Sequence, residues 1–227
     1  MFAENFKCRS SAIGKIMTEP KKKSEPLSET CKTYLKEWLT EKRTGRRKEF
    51  TSKETDKGIR REDEAIELIS KRIGIPLQKN LIEFENEYLT GTPDVIYTAI
   101  RDIKCSWDPF TFPTYCDEIP TKDYLWQGLG YMDLTGRKHF YLDYVLMDHL
   151  DSYIDYMANT QARHEGVTSV NRELWDRVAK QYQYGDIPED RRVKTFYVVY
   201  DENKIERIYS RVRTCREYLH ELEVKYV

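Results

Sequence analysis

Apolar residues recur at intervals of three and four along several stretches of the chain, the pattern of helices that bury one face. The first stretch follows Ser28, a residue type that caps helix N-termini, and Gly45 is placed to end it. A second covers residues 57–73 and is stopped by Gly74. Further helices are predicted over residues 123–134, 150–180 and 202–224.

Apolar and polar residues alternate in the segments between these helices, which predicts strands. Three short strands fit residues 81–106, and runs of aromatic and β-branched residues predict longer ones at 139–147 and 195–200. Because strands and helices are intermixed, we expect an α/β or α+β fold with a central mixed sheet flanked by helices. A chain of 227 residues is long enough for one domain, residues 1–227.

Composition restricts where such a protein works and which metal ligands it can offer. No apolar run approaches the ~20 residues that span a membrane, and residues 1–17 lack the apolar stretch of a signal peptide. The five cysteines include no CxxC pair, as expected of reduced thiols in the cytoplasm. The four histidines show no metal-ligand spacing, so metal chemistry would use oxygen ligands. We expect an intracellular, cytoplasmic protein with no membrane partner.

The net charge of -1 conceals an uneven distribution of charge. Residues 42–61 contain nine basic side chains against three acidic ones. Such a segment can follow a phosphate backbone, which favours nucleic acid as a partner. The alternative is a solvated loop and helix start.

Two aspartates and a lysine are the main candidates for chemistry. Asp94 follows a bend at Pro93, and Asp102 and Lys104 lie two apart on a predicted strand, so their side chains share one face. On adjoining strands these groups would meet, as in a metal-dependent phosphodiesterase. The alternative is a solvated surface pair, since other acid-x-Lys triplets occur in the chain.

Glu62 is an independent candidate because it falls on the apolar stripe of the second helix. Ile59, Ile66, Ile69 and Ile73 share this stripe, where a carboxylate is expensive to bury unless it is paired or metal-bound. A metal ligand is the preferred interpretation. The alternatives are an acid favoured by the helix dipole or an ion pair with Arg101 or Lys104.

Two further groups of side chains are candidates for substrate contacts. Gln127 and Tyr131 are four residues apart and point from one helix face, where they would hydrogen-bond a phosphate and its nucleotide. Trp107 opens an aromatic loop that continues to Tyr115 and would stack on an unpaired base. The alternatives are a structural pair and local core packing.

In order and spacing, four motifs resemble the RecB-like branch of the PD-(D/E)XK nucleases, nearest to the lambda exonuclease and YqaJ-type viral recombinases. Residues 9–17 are also similar to the segment in that group where a serine helps to hold the 5′ end of DNA. The motifs are Gly58 to Ala65, Gly91-Thr92-Pro93-Asp94, Asp102-Ile103-Lys104-Cys105 and Gln127-Gly128-Leu129-Gly130-Tyr131. The resemblance implies a restriction-endonuclease-like core, at about 9–148 and 193–227, with a helical insertion at about 149–192.

The resemblance also implies a role for each candidate residue. Glu62, Asp94, Asp102 and the carbonyl of Ile103 would bind one or two Mg²⁺ or Mn²⁺ ions. Lys104 would orient the attacking water or neutralise charge on the phosphoryl group, and Gln127 and Tyr131 would position the substrate strand. Phosphate contacts are expected from Arg9, Ser11, Arg46, Arg47, Lys57, Arg60 and Arg61.

The function implied is an exonuclease that digests linear double-stranded DNA from a free end, in the 5′ to 3′ direction. Such enzymes act in phage-type recombination or end resection, so a bacterial or phage origin, a homo-oligomeric ring and a single-strand annealing partner are expected. One alternative is a RecB-like endonuclease or single-strand nuclease of restriction or repair. Another is a non-catalytic DNA-binding protein on the same fold.

Overall fold

The computed structural model describes residues 1–48 and 52–226 of the chain. Residues 49–51, which belong to the predicted basic stretch, and Val227 lie outside this part. In chain order its strands and helices are β1 (Cys8–Arg9), α1 (Ile13–Ile16), α2 (Glu29–Thr44), α3 (Lys53–Ile73), β2 (Phe84–Glu85), β3 (Leu89–Gly91), β4 (Val95–Ile96), β5 (Ile100–Cys105), α4 (Lys122–Thr135), β6 (His139–Val145), α5 (Asp151–Glu165), α6 (Arg172–Ala179), β7 (Val193–Val199) and α7 (Glu202–Lys225).

The central sheet has the strand order β4-β5-β6-β7. The strands β5 and β6 run parallel, with Asp102 opposite Leu142, and the other two pairs are antiparallel. A tight turn, in which the Tyr97 amide donates to the Ala99 carbonyl at 2.9 Å, joins β4 to β5. The predicted mixed sheet flanked by helices is therefore confirmed.

A second, three-stranded sheet was not predicted from the sequence. Its order is β1-β3-β2, with Cys8 opposite Leu89 in a parallel pair and Phe84 opposite Gly91 in an antiparallel pair. The segment 81–106 accordingly holds four strands in two sheets, rather than three strands. Strands of two or three residues are too short to show an alternating pattern, and β1 pairs with a segment distant in sequence.

Local signals placed most helix ends correctly. The Ser28 hydroxyl accepts a hydrogen bond from the Cys31 amide, which caps α2, and Gly45 and Gly74 end α2 and α3 with φ of 67° and 68°. Such positive φ values favour glycine. The helix α3 begins at Lys53, four residues before the predicted start, because Ser52 caps it. In the described part of the chain, no helix combines the length and apolar character needed to cross a membrane.

The apolar core lies on both faces of the central sheet. One face and the small sheet pack against α1, α2, α4 and α7, and the other face packs Ile103 against Ile66 and Ile69 of α3. The helices α5 and α6 pack on each other around a separate apolar cluster that includes Ile154 and Leu174. The β4–β5 hairpin thus lies between α3 and α4, the two helices that carry Glu62 and Gln127.

Candidate active site

Asp94 lies at the open edge of β5, just before β4 begins. Val95 of β4 pairs with Arg101 of β5. Two residues further along β5, the Ile103 amide donates to Asp94 Oδ2 at 2.7 Å, so the Asp94 carboxylate takes the place of a strand partner. The N–H and C=O of one strand residue point to the same edge, so the Ile103 carbonyl faces the Asp94 side. Two oxygen groups that can bind a metal ion, a carboxylate and a carbonyl, therefore share this edge.

Asp102 and Lys104 share one face of β5, as their spacing predicts. The Lys104 ammonium lies 2.6 Å from Asp102 Oδ2, and Asp102 Oδ1 accepts the Gln127 amide at 3.3 Å. Asp102 is 1% exposed, and its Oδ2 has no aligned hydrogen-bond donor among the described residues. The contact with Lys104 is thus an ion pair that compensates the charge of the buried Asp102 carboxylate.

Burial and neighbouring charges shift the pKa values of Asp94 and Lys104. Burial, followed by the carboxylate of Asp102, raises the pKa of Asp94 to about 8. Burial alone would lower the pKa of Lys104, but Asp102 and Asp94 together raise it above its ordinary range. Lys104 therefore stays a cation at physiological pH and cannot act as a general base. Asp94, in contrast, is mostly protonated at neutral pH in the metal-free protein.

Gln127 and Tyr131 project from one face of α4, and the Gln127 amide donates to the Tyr131 hydroxyl at 2.8 Å. Both residues are buried, but Gln127 lines the cleft and Tyr131 lies behind it. A Cβ on Gly128 would come within 2.4 Å of the Phe140 ring, so glycine allows α4 to approach β6 this closely. Tyr131 therefore holds Gln127 in place, and Gln127 is the member of the pair that lines the cleft.

Glu62 lies on the wall of the same cleft but is paired with a residue that sequence reasoning missed. Its Oε2 lies 2.9 Å from the ammonium of Lys79, and neither Arg101 nor Lys104 is its partner. Arg101 instead pairs with the buried Asp143 at 2.6 Å. No sequence pattern marks Lys79, because it lies in an irregular segment between α3 and β2.

The apolar stripe that singled out Glu62 is only partly buried. Ile66 and Ile69 are in the core, but Ile59 is 65% exposed and lines the cleft. Across residues 1–48 and 52–226, no three His, Cys, Asp or Glu side chains converge closely enough to hold one ion. Asp94 and Asp102 are near enough for the charge of Asp102 to raise the pKa of Asp94, and the backbone of Ile103 lies at the Asp94 carboxylate.

The cleft has a volume of about 600 Å³ and is formed by α3, the end of β5 and α4. Asp102 lies beneath its floor and is reached through Gln127 and Lys104. The Lys104 ammonium also lies 5.3 Å from the centre of the Tyr124 ring. The sequence carries a signal for this contact, because Tyr124 is three residues before Gln127 and so shares its helix face. Residues that line the cleft include Ser11, Glu62, Asp94, Ile103, Lys104, Trp107, Tyr124, Gln127 and Tyr144.

Two of the predicted phosphate contacts are engaged in the fold itself. Lys57 is 2% exposed, and its ammonium donates to the carbonyls of Ser106 and Trp107 at 2.9 and 2.8 Å. Arg61 donates to the carbonyls of Asp148 and His149 and pairs with Glu64. Both cations already bind carbonyls of the fold, so a phosphate contact would require either of them to leave those partners.

The other predicted phosphate contacts remain accessible. Arg46 and Arg47 are exposed, and Arg60 is exposed and paired with Asp56 at 3.0 Å. Arg9 and Arg47 line a separate cavity, where Arg9 pairs with Glu41 at 2.6 Å. These positions are compatible with the prediction but do not test it.

The aromatic loop after Lys104 divides between the two interpretations of it. Phe112 is buried in the core, whereas Phe110 and Tyr115 are almost fully exposed. Trp107 is half-buried and lines the cleft, with its ring edge-on to His149. Core packing explains Phe112, and Trp107 is packed in part against His149 and Tyr153.

Solved structures supply an independent comparison. A phage-related exonuclease from Haemophilus somnus 129PT matches with a TM-score of 0.81 and 28% identity, over 98% of this chain and 97% of that one. The chain has the fold of that exonuclease. No family model matches the sequence, and a search of the curated proteins found no match either.

More distant neighbours have the same fold. LHK-Exo, an alkaline exonuclease from Laribacter hongkongensis, matches with a TM-score of 0.65 and 18% identity, over 99% of this chain and 92% of that one. Its complex with dAMP matches with a TM-score of 0.66 and 18% identity, over 99% and 93% of the two chains. At this identity the likeness concerns the fold alone.

Proposed function

We propose that the protein is a DNA exonuclease that hydrolyses phosphodiester bonds of linear double-stranded DNA with the help of a divalent metal ion. The observation that carries the proposal is the cluster of Asp94, Asp102, Lys104 and Gln127 at the floor of the cleft. This cluster lies within a fold shared over nearly the whole chain with a phage-related exonuclease.

The donor set suits Mg²⁺ or Mn²⁺, one or two ions. Asp94, Asp102 and the Ile103 carbonyl are hard oxygen ligands, and the two aspartates lie near enough for the charge of Asp102 to raise the pKa of Asp94, a repulsion that a bound cation would relieve. Glu62 would join them on release from Lys79. A bound ion would supply an activated water and stabilise charge on the phosphoryl group.

The chain's own residues would prepare the substrate for that chemistry. Lys104, which remains protonated, would lie against a phosphoryl oxygen and offset the charge that develops there. The Gln127 amide would hold Asp102 in its orientation and contact the strand, while Tyr131 keeps Gln127 in place. The exposed Arg46, Arg47 and Arg60 would contact phosphates further along the duplex.

Polarity and partners complete the proposal. The family resemblance favours digestion in the 5′ to 3′ direction, assembly into a homo-oligomer and delivery of the single strand to an annealing protein. Sedimentation of the purified chain measures the oligomeric mass directly. Strands labelled at the 5′ or the 3′ end would distinguish the two directions, because only one label is then released early.

The test compares end-labelled linear duplexes with closed circles and single strands, in the presence of Mg²⁺. We expect linear duplexes to be degraded, and Asp102→Ala and Lys104→Ala to lower the rate by at least about 10²-fold, the usual effect of losing one group that stabilises transition-state charge. Lys204→Ala is the matched control, because Glu202-Asn203-Lys204 is an acid-x-Lys triplet on the exposed start of α7.

Each other result points to a different function. Cleavage of closed circles would replace the proposal with an endonuclease, and cleavage of single strands alone would indicate a single-strand nuclease. Tight binding of DNA without any cleavage would favour a non-catalytic DNA-binding protein.

A further inference from the structure

A second cavity, of about 360 Å³, lies beside the cleft. It is formed by the first turns of α3, the loop after β5 and the start of α5. Trp107 lines both the cavity and the cleft, so the two spaces share a wall. A DNA strand lying in the cleft would therefore pass next to this cavity. The volume of the cavity is in the range that small ligands occupy.

Aromatic rings set at right angles form one corner of the cavity. The Trp107 ring lies 5.0 Å from the Tyr153 ring at an interplanar angle of 76°, and 4.4 Å from the His149 ring at 85°. Tyr156, which is 57% exposed, extends this wall toward solvent. A flat heterocycle can stack on one ring of such a corner while its edge meets another.

The mouth of the cavity carries an accessible cation. The exposed Lys53 ammonium lies 4.8 Å from the centre of the Tyr156 ring and 5.5 Å from that of Tyr153. Asp56, the acidic residue of the wall, is paired with Arg60 at 3.0 Å. An anionic group attached to a flat ring would thus find a positive charge at the entrance.

His149 adds a polar atom without a partner to the aromatic wall. The residue is 1% exposed, and its Nε2 has no hydrogen-bond partner among residues 1–48 and 52–226. Burial, followed by the nearby charge of Lys57, lowers the pKa of His149 to about 4, so its imidazole is neutral at physiological pH. A buried neutral nitrogen in this position is suited to the polar edge of a base.

We infer that this cavity binds one unpaired nucleobase of the DNA strand held in the cleft, against the aromatic corner formed by Trp107, Tyr153 and Tyr156, with its phosphate near Lys53. The inference rests on the proposed function, since it requires DNA in the cleft. Because every base has a π-face, binding would be largely independent of sequence.

The test measures binding of short-overhang duplexes to the Asp102→Asn protein, by fluorescence anisotropy. Each duplex carries one abasic site at a successive position of a 5′ or a 3′ overhang, so the junction sets the register. We expect one position at which loss of the base weakens binding about tenfold, or about 1.4 kcal/mol, within the range of base stacking on an aromatic ring.

Variants of the wall connect that position to the cavity. In Tyr156→Ala and Trp107→Leu, an abasic site at that position should no longer weaken binding, because the base of the intact duplex has lost a ring that it contacts. Trp107→Phe keeps an aromatic ring and should retain the effect. Tyr226→Ala is the matched control, because Tyr226 is similarly exposed, at 61%, but lies on the α2–α7 surface away from the cleft. Tyr156 is largely exposed, so its replacement leaves the fold intact.

Three results would overturn the inference, and they are distinguishable from failure of the proposed function. The first is an equal penalty at every abasic position, and the second is a single penalty that persists in Tyr156→Ala. The third is a combination of two observations: no abasic site weakens binding, and free dAMP binds less tightly to Tyr156→Ala than to the parent protein. That result would indicate a site for released nucleotide. If the protein neither binds nor cleaves DNA, the proposed function itself fails.

Discussion

Asp94 and Asp102 lie near each other but are positioned by different parts of the fold, so their side chains have different surroundings. Asp102 is on β5 and lies beneath Gln127, whereas Asp94 precedes β4 and is held by the Ile103 amide. Burial and the charge of Asp102 raise the pKa of Asp94 to about 8 from its ordinary 3.8. A proton and a divalent cation therefore compete for this carboxylate.

The first prediction concerns metal binding as a function of pH. Below pH 8 a metal ion must displace the proton of Asp94, so the apparent affinity for Mg²⁺ should rise with pH up to about 8 and then level off. Titration calorimetry in two buffers of different ionisation enthalpy would measure the released proton. In Asp94→Asn we expect weak binding without proton release; release that persists there would contradict the assignment.

Stability of the metal-free protein provides a check that is independent of activity. Between pH 4 and pH 8 the folded chain holds a proton on Asp94 that the unfolded chain has lost, so the free energy of unfolding should fall as the pH rises. Urea denaturation at several pH values in the presence of a chelator would show this slope. The slope should be smaller in Asp94→Asn, and an unchanged slope would assign it to other groups.

At the scale of elements, α3 carries two kinds of basic residue that look alike in sequence. Lys57 is buried and binds the carbonyls of Ser106 and Trp107, so it ties α3 to the end of β5. Burial lowers its pKa to about 8, which still leaves most molecules charged at neutral pH. Arg60, three residues later, faces solvent. Lys57 thus positions the wall that the cleft and the second cavity share.

The second prediction follows from these two positions. Lys57→Met leaves two carbonyls without their donor, and we expect it to lower the free energy of unfolding by about 2–4 kcal/mol. Arg60→Ala should change stability by less than about 0.5 kcal/mol. Chemical denaturation would measure both, and a Lys57→Met protein of normal stability would contradict the structural role.

At the scale of the whole molecule, a net charge of -1 means that DNA must be attracted by local rather than overall charge. Arg46 and Arg47 are exposed at the end of α2, and both lie in the stretch that is rich in basic residues. If each contacts a phosphate, each contributes to the salt dependence of binding through counterion release. Their predicted role thus differs from that of Lys57 and Arg61, which bind carbonyls within the fold.

The third prediction is a change in that salt dependence. Replacing both Arg46 and Arg47 by Gln should reduce the slope of log K against log salt by about 0.9 for each lost phosphate contact. Lys22 and Lys23, exposed on the segment before α2, provide the matched control when both are replaced by Gln. An equal effect of the two pairs would show that only overall charge matters.

Much of the fold was accessible from the sequence because its signals are local. Ser28, Gly45, Gly74 and Gly136 act on the backbone within a turn of their own position, and they marked helix ends correctly. The spacing of Asp102 and Lys104 placed both on one strand face, and the four-residue spacing placed Gln127 beside Tyr131. Each of these relations spans a few residues, so periodicity and capping determine it.

Tertiary structure decided what depends on partners distant in sequence. The small sheet pairs Cys8 with Leu89, Glu62 pairs with Lys79, and Lys57 binds the carbonyls of Ser106 and Trp107. No local pattern separates a buried lysine from one that binds DNA, because burial is set by whatever the fold packs against it. The sequence by itself determined the helices, the longer strands and the spacing of the candidate site residues, and the packing of α3 and α4 against β5 decided which of those side chains face the cleft.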